Sequence, residues 1–449
     1  MILVRKLLIS IMTAAFLAAL LIPAPARAQG LAIARDAEIE NTIRAYATPI
    51  FDAAGLDPEA VTIRIVNDSD VNAFVLGGQN LFMTVGLLLL AQNANEVIGV
   101  IAHETGHIAG GHLARMDEER RNAMLESIIA MVLGAGAMAT GSPGAGQAVM
   151  AGGAQVAQRQ LLANSRAHEA AADQAAVTFL DRTGQSARGL ADFLQLLVER
   201  EHGGVGRRDQ FVLDHPLTPD RVEFVRNQAA NSKYSDTPEP PEFQEMFERM
   251  QAKLMGFLRP AEDTFRRYPE SDTSLGARYA RAIAYYRKPD LGHAVPLIDG
   301  LIAERPKDPY FEELKGQMLF ENGHVREAIA PYQAAVNLLP DNPLLRVSLA
   351  QTQLETNDAS LNNAALANLT VAIQKDKQFP PAWSQIAVAY GRAGQLGLSA
   401  LALAEKAYLY HDDKEARAQV ARAQHLLPED SPGWLRAQDI KQAINNRKQ

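Results

Sequence analysis

Apolar residues recur at three- and four-residue intervals along most of this chain and at two-residue intervals in one short stretch. The pattern predicts a mainly α protein with a small β-sheet. From Ile33 to about Ala54, the positions Ile39, Ile43, Tyr46 and Ile50 make one helical stripe, which Pro49 bends or divides. After the break at Pro58, Val61–Val66 alternates as a strand. Asn72–Leu76 and Asn80–Val85, joined through Gly77 and Gly78, predict a hairpin, and Leu87–Leu90 open a short helix. Val97–His107 is then a strongly apolar helix, with Asn93 and Glu96 spaced as its start signal.

The segment Ala123–Ala154 departs from this amphipathic pattern. Ile128–Leu133 is almost continuously apolar, and Gly, Ala and Met dominate from there to Gly153. The run is too short to span a bilayer. It predicts either a buried hairpin of helices with a glycine bend, or a hinged lid or surface that touches membrane or client. Helix resumes over Arg159–Leu180. Pro216 and Pro219 then make a stiff loop before a helix that runs to about Ala230. Residues 228–242, with Pro238, Pro240 and Pro241, have the composition of a linker.

Beyond the linker the pattern repeats. Segments 275–308 and 309–342 share a period of 34 residues. Gly316, Gly323, Ala328, Tyr332, Ala335 and Pro340 stand at the small, aromatic and terminal positions of a tetratricopeptide repeat. Ala282, Tyr285, Ala294 and Pro306 match in the first unit, and Trp383, Ala387, Tyr390 and Gly394 begin another after an irregular one. Four such repeats stack into a curved α-solenoid with a concave protein-binding face. The expected organisation is residues 1–28 as a leader, 29–230 as a first domain, 231–260 as a linker and connecting helix, and 261–449 as the repeat domain.

Composition narrows the chemistry. The 449 residues include no cysteine, which removes disulfides, thiol nucleophiles and cysteine-based zinc sites. A formal net charge of −8 argues against a nucleic-acid binder. Arg5 and Lys6, the apolar run Leu7–Ile22, and Ala26, Arg27 and Ala28 have the order of a cleaved signal peptide, so the mature chain is expected to start at Gln29 in an exported compartment.

The chemistry concentrates at His103, Glu104 and His107. Histidines at i and i+4 share one helix face and can reach a single metal ion. Glu104, beside the first, can take a proton from water that a bound zinc has acidified. A third ligand is still needed. A histidine at position 113 would complete a metzincin pattern, but that residue is Leu113; His112 is one place out of register and fits a supporting role. Downstream, Glu169 and Asp173 form an i,i+4 pair on a helix rich in alanine. Glu169 fits a two-histidine, one-glutamate zinc site, with Asp173 orienting a ligand histidine. His168 is the alternative third ligand, although the pairing with Asp173 favours Glu169.

These motifs, in this order and with the repeats behind them, resemble one family across essentially the whole mature chain: the BepA-type periplasmic zinc metalloproteases, relatives of HtpX-like proteases and CAAX-prenyl endopeptidases. The resemblance implies a gluzincin-type protease domain holding one Zn2+ per chain through His103, His107 and Glu169, with Glu104 as general base and Asp173 as support. It also implies that His215 can occupy the zinc's fourth position as a switch, and that Arg221 steadies that loop or the transition state. The strand at Phe74 would pair with an extended substrate. Members act on outer-membrane β-barrel proteins, chaperoning them to the assembly machinery or degrading stalled ones, with the repeats making the contacts. The expectation is therefore a periplasmic zinc endopeptidase in quality control, with peripheral membrane contact. The alternative is a chaperone or adaptor scaffold with latent protease activity.

Overall fold

The computed structural model describes residues 32–139, 143–202 and 209–447. The leader expected at residues 1–28 lies outside the described residues. From Ala34 onward the chain forms one compact unit.

Asp36 starts the first helix. Its carboxylate accepts the Ile39 N–H, and α1 runs from Ala37 to Ala53 with Ile39, Ile43, Tyr46 and Ile50 buried. Ile33–Ala34, placed in that helix by the sequence pattern, form strand β1 instead, because the helix begins only after the Asp36 cap, whose own backbone is extended. Strands β2 (Thr62–Val66), β3 (Ala73–Leu76) and β4 (Asn80–Thr84) complete a sheet in the order β1-β2-β4-β3. β2 runs parallel to β4, and β3 pairs with β4 as the predicted hairpin, Phe74 opposite Phe82. Gly77 and Gly78 turn it with φ of 61° and 93°, a backbone that favours glycine. This leaves β3 at the edge of the sheet.

Thr84 caps the short helix α2 (Val85–Leu90), which leads to α3 (Ala94–Gly110). Asn93 Oδ1 accepts the Glu96 N–H at 3.0 Å, and the Glu96 carboxylate accepts the Gln92 N–H at 2.9 Å. Gly111, at φ 61°, ends the helix. Helices α4 (His112–Ala139) and α5 (Pro143–Thr183) form a long hairpin, and the later part of α5 returns to lie against α3. α6 (Arg188–His202), α7 (Gln210–Asp214) and α8 (Pro219–Asn231) follow. One apolar core unites α1, the sheet, α3, the end of α5, α6 and α8. The α4–α5 hairpin is not the buried one that its apolar sequence allowed. Ile129, Val132 and Leu133 are each more than half exposed.

After the prolines at 238 and 240, α9 (Pro241–Leu258) sends Phe247, Met250 and Leu254 back into the same core. The repeat half then follows α10 (Ala261–Arg267). Its helix pairs are α11 (Leu275–Arg287) with α12 (Leu291–Glu304), α13 (Pro309–Glu321) with α14 (Val325–Leu338), and α15 (Pro343–Glu355) with α16 (Asn362–Lys375). α17 (Pro380–Arg392) with α18 (Leu396–Leu409), and α19 (Asp413–Leu426) with α20 (Pro432–Asn446), complete the solenoid. The described residues thus hold five pairs where the sequence pattern predicted four. The last pair carries no glycine–aromatic signature, as is usual for a terminal repeat.

Buried charge ties the two halves together. Arg249 on α9 bonds Glu38 on α1 at 2.6 Å and also pairs with Asp308, while Lys253 reaches Asp36 at 2.8 Å. Tyr279 donates its hydroxyl to Glu38 at 2.7 Å. Between the halves lies a cavity of about 490 Å³, lined by Arg35, Lys253, Glu313, Phe320, Tyr332 and Phe379 among others. No helix among the described residues is long and apolar enough to cross a membrane.

Candidate metal centre

The capped, buried helix α3 fixes His103 and His107 one turn apart, facing α5. Close approach of α5 depends on Gly106, where an added Cβ would lie 2.8 Å from the Ala172 carbonyl oxygen. That contact brings Glu169 and Asp173 to the histidines.

Four donors converge. His103 Nε2 lies 3.2 Å from His107 Nε2 and 3.4 Å from His215 Nδ1. The Glu169 carboxylate lies 3.2 Å from His215 Nδ1, 3.4 Å from His103 Nε2 and 3.5 Å from His107 Nε2. A tetrahedral ion with bonds of about 2.0–2.1 Å needs its donors about 3.3–3.4 Å apart, which matches these separations. All four residues are buried, and their ligand atoms lie within 4.8 Å of one another. Next door, His168 turns instead to Glu119, 3.1 Å away, and is not among these donors.

Charge agrees with geometry. Glu104, Glu169 and Asp173 bring three carboxylates into a buried site that holds one guanidinium, Arg221. With neutral imidazoles the site carries two negative charges in excess, which a divalent cation or two protons would neutralise. The proton affinities report the same excess. Burial opposes charge on His103, yet the Asp173 and Glu169 carboxylates outweigh it and raise its pKa to about 10. His215 is likewise raised, burial being overcome by Glu104 and Glu169. Glu169 is lowered in spite of burial, through His215 and His103. Burial lowers His107 well below the ordinary histidine value and raises Glu104.

Supporting contacts fix the donors. Asp173 Oδ1 lies 3.0 Å from His103 Nδ1, on the far side of the ring from the other donors. Arg221 donates to both Asp173 oxygens, at 2.7 and 2.9 Å, and reaches Glu169 at 2.9 Å. The same guanidinium donates to the Pro216 carbonyl at 3.0 Å, so it ties the histidine loop to the donor set. His112 Nδ1 stands 3.1 Å from His107 Nδ1, a supporting contact.

The loop also reaches the sheet. His215 Nε2 lies 3.2 Å from the Ala73 carbonyl on β3 and 3.4 Å from Glu104. The Phe211 N–H donates to the Val71 carbonyl, and Asn72 donates to Asp214. The Phe211 ring packs on His215 with centroids 4.6 Å apart. Sequence reasoning missed Phe211, Asn72 and the double role of Arg221. The contacts of Phe211 with Val71, of Asn72 with Asp214 and of Arg221 with Asp173 join distant parts of the chain and leave no local signal. Phe211 and His215, by contrast, stand at an i,i+4 spacing that the sequence does display.

Residues 34–229 match the model of peptidase family M48. The beta-barrel assembly-enhancing protease of Yersinia pestis is 27% identical over 340 residues, covering 74% of this chain and 68% of the relative. The protein of the same name from Escherichia coli K12 is 25% identical over 65% of this chain, and the match spans 60% of the relative's own length. The metalloprotease LoiP of Escherichia coli is 29% identical over 40% of this chain and 68% of its own length. Among solved structures, a thermophilic TPR protein from Thermus thermophilus shares 18% identity over 40% of this chain and 99% of its own, at a TM-score of 0.24. The repeat assignment rests on the paired helices themselves. Residues 34–229 thus form a peptidase M48 domain, a metalloendopeptidase domain, and helical repeats follow it.

Proposed function

We propose that this protein is a periplasmic zinc endopeptidase that acts on outer-membrane β-barrel proteins during their assembly, held in check by its own histidine loop. The observation that carries the reading is the convergence of His103, His107 and Glu169 with Glu104 alongside. His103, His107 and Glu169 would hold one Zn2+ per chain, and that ion would supply the Lewis acidity that activates water for attack on a peptide bond. Glu104 takes the proton of the attacking water and delivers it to the leaving amine. Asp173 holds the His103 ring with Nε2 turned to the other donors, and Arg221 holds Asp173. An extended client segment pairs with the edge of β3, its backbone running past Glu104.

His215 stands in the way of that chemistry. Its Nδ1 fills the fourth place among the donors, and its Nε2 occupies the Ala73 carbonyl that a client backbone would use. The loop must therefore withdraw before cleavage. The leader at residues 1–28 supports export, and the relatives' name supports the class of client. The repeats would engage the client and the β-barrel assembly machinery. The same loop favours a second reading, a client-binding chaperone or adaptor whose protease is latent.

Degradation of an unfolded outer-membrane β-barrel protein by the parent and by His215→Ala separates the two. Restraint predicts cleavage at least tenfold faster in the variant. Unchanged or slower cleavage would remove the loop from control, and no cleavage by either, with zinc bound, would leave the adaptor reading.

A further inference from the structure

We infer that the α4–α5 hairpin seats the protein on a membrane by inserting its apolar outer part into one leaflet. The first observation is where its large side chains point. At about 100° per residue, Met131, Ile128, Val132, Ile129 and Leu133 sweep an arc of about 200° around α4, and every one of them is exposed. Only the Ala130 side is covered. A helix lying on a protein surface presents an apolar stripe only somewhat wider than about 100°, whereas one that is apolar around most of its circumference suits an apolar medium.

The second observation is what lies between the helices. Ala123, Ala130 and Ala157 are buried, and a methyl group added at Gly153 would collide with the Ala130 side chain. Small residues face inward while Ile, Val, Leu and Met face outward. Water would favour the reverse. Close packing through small residues is how helices associate where the surroundings are themselves apolar.

Charge and length agree. No charged residue occurs between Glu126 and Arg159. At about 1.5 Å per residue, Ser127–Ala139 is about 20 Å long, enough for half of a hydrocarbon core of about 30 Å and too short for all of it. Arg115, Arg120 and Arg121 are offset by Asp117, Glu118, Glu119 and Glu126 at the base of α4, so neutral lipid suffices. The hairpin springs directly from Gly111, at the end of the helix that carries His103 and His107, so its seating holds the metal centre at the membrane surface.

The test uses the chain from Gln29 onward, free of the apolar run Leu7–Ile22, in flotation with phosphatidylcholine vesicles. The parent should float in both 0.15 M and 0.5 M salt, at about one and about three times physiological ionic strength. Ile129→Gln/Val132→Gln/Leu133→Gln should lower partitioning at least tenfold, while Ile129→Leu/Leu133→Met should stay within twofold. Because the chain has no cysteine, Leu133→Cys carrying a polarity-sensitive dye gives a second readout, expected to shift to the blue on adding vesicles. A parent that does not float, a glutamine variant that floats equally, or an unshifted dye would overturn the inference. So would a parent dimer, seen by light scattering, that the glutamines dissociate while neither form binds vesicles. Loss of unfolded-protein binding without any vesicle binding would assign the surface to clients instead.

Discussion

Replacing Asp173 with Asn tests how the metal centre is held together. The side chain is fully buried, accepts two hydrogen bonds from Arg221 at 2.7 and 2.9 Å, and stands 3.0 Å from His103 Nδ1. Asn preserves the volume but removes the charge and turns one acceptor into a donor, which then faces Arg221 or His103. Breaking a buried ion pair from one side costs about 3–5 kcal/mol. Arg221 keeps its 2.9 Å contact with Glu169, so the cost should fall near the lower end, about 3 kcal/mol. Losing the group behind a ligand histidine typically weakens metal binding about 10–100-fold, equivalent to about 1.4–2.7 kcal/mol. Both quantities are measurable: zinc affinity by competition with a chromogenic chelator, and stability by urea unfolding at fixed zinc. A zinc affinity within twofold of the parent, together with a stability change below about 1 kcal/mol, would refute the role given to this aspartate.

Other expectations follow from the same geometry. Zinc at a hundred times its dissociation constant should stabilise the protein by about 2.7 kcal/mol over the chelator-treated form, and equal unfolding curves would argue against a resident ion. Arg249→Met leaves Glu38 and Asp308 without their guanidinium, so it should cost about 3–5 kcal/mol and let limited proteolysis part the repeats from the protease half. An unchanged digestion pattern would show that this network does not join them. Phe211→Ala removes the ring packed on His215 and should speed cleavage in the same direction as His215→Ala; slower cleavage would mean that the loop aids catalysis.

Local rules carried much of the fold. The Asn93–Glu96 start of α3, the two-glycine hairpin and the 34-residue period were legible because each is written within a few turns of chain. The i,i+4 spacings also placed His103 with His107, and Glu169 with Asp173, on single helix faces. What joins those faces is not local. The approach of α5 depends on Gly106 meeting Ala172, and Arg221 reaches Asp173 across 48 positions of sequence. Apolar content alone left α4 undecided, because a run such as Ile128–Leu133 looks the same whether it is buried or exposed. The fifth helix pair escaped notice since its repeat signature is absent.

The most direct test of the account is Glu104→Gln, assayed for zinc content and cleavage of an unfolded outer-membrane protein in the His215→Ala background. The substitution leaves the donors His103, His107 and Glu169 in place, so both proteins should bind one zinc per chain. Cleavage should fall by about 10²–10⁴-fold, the usual contribution of a positioned general base. Equal cleavage by the two, or no bound zinc in either, would contradict the mechanism.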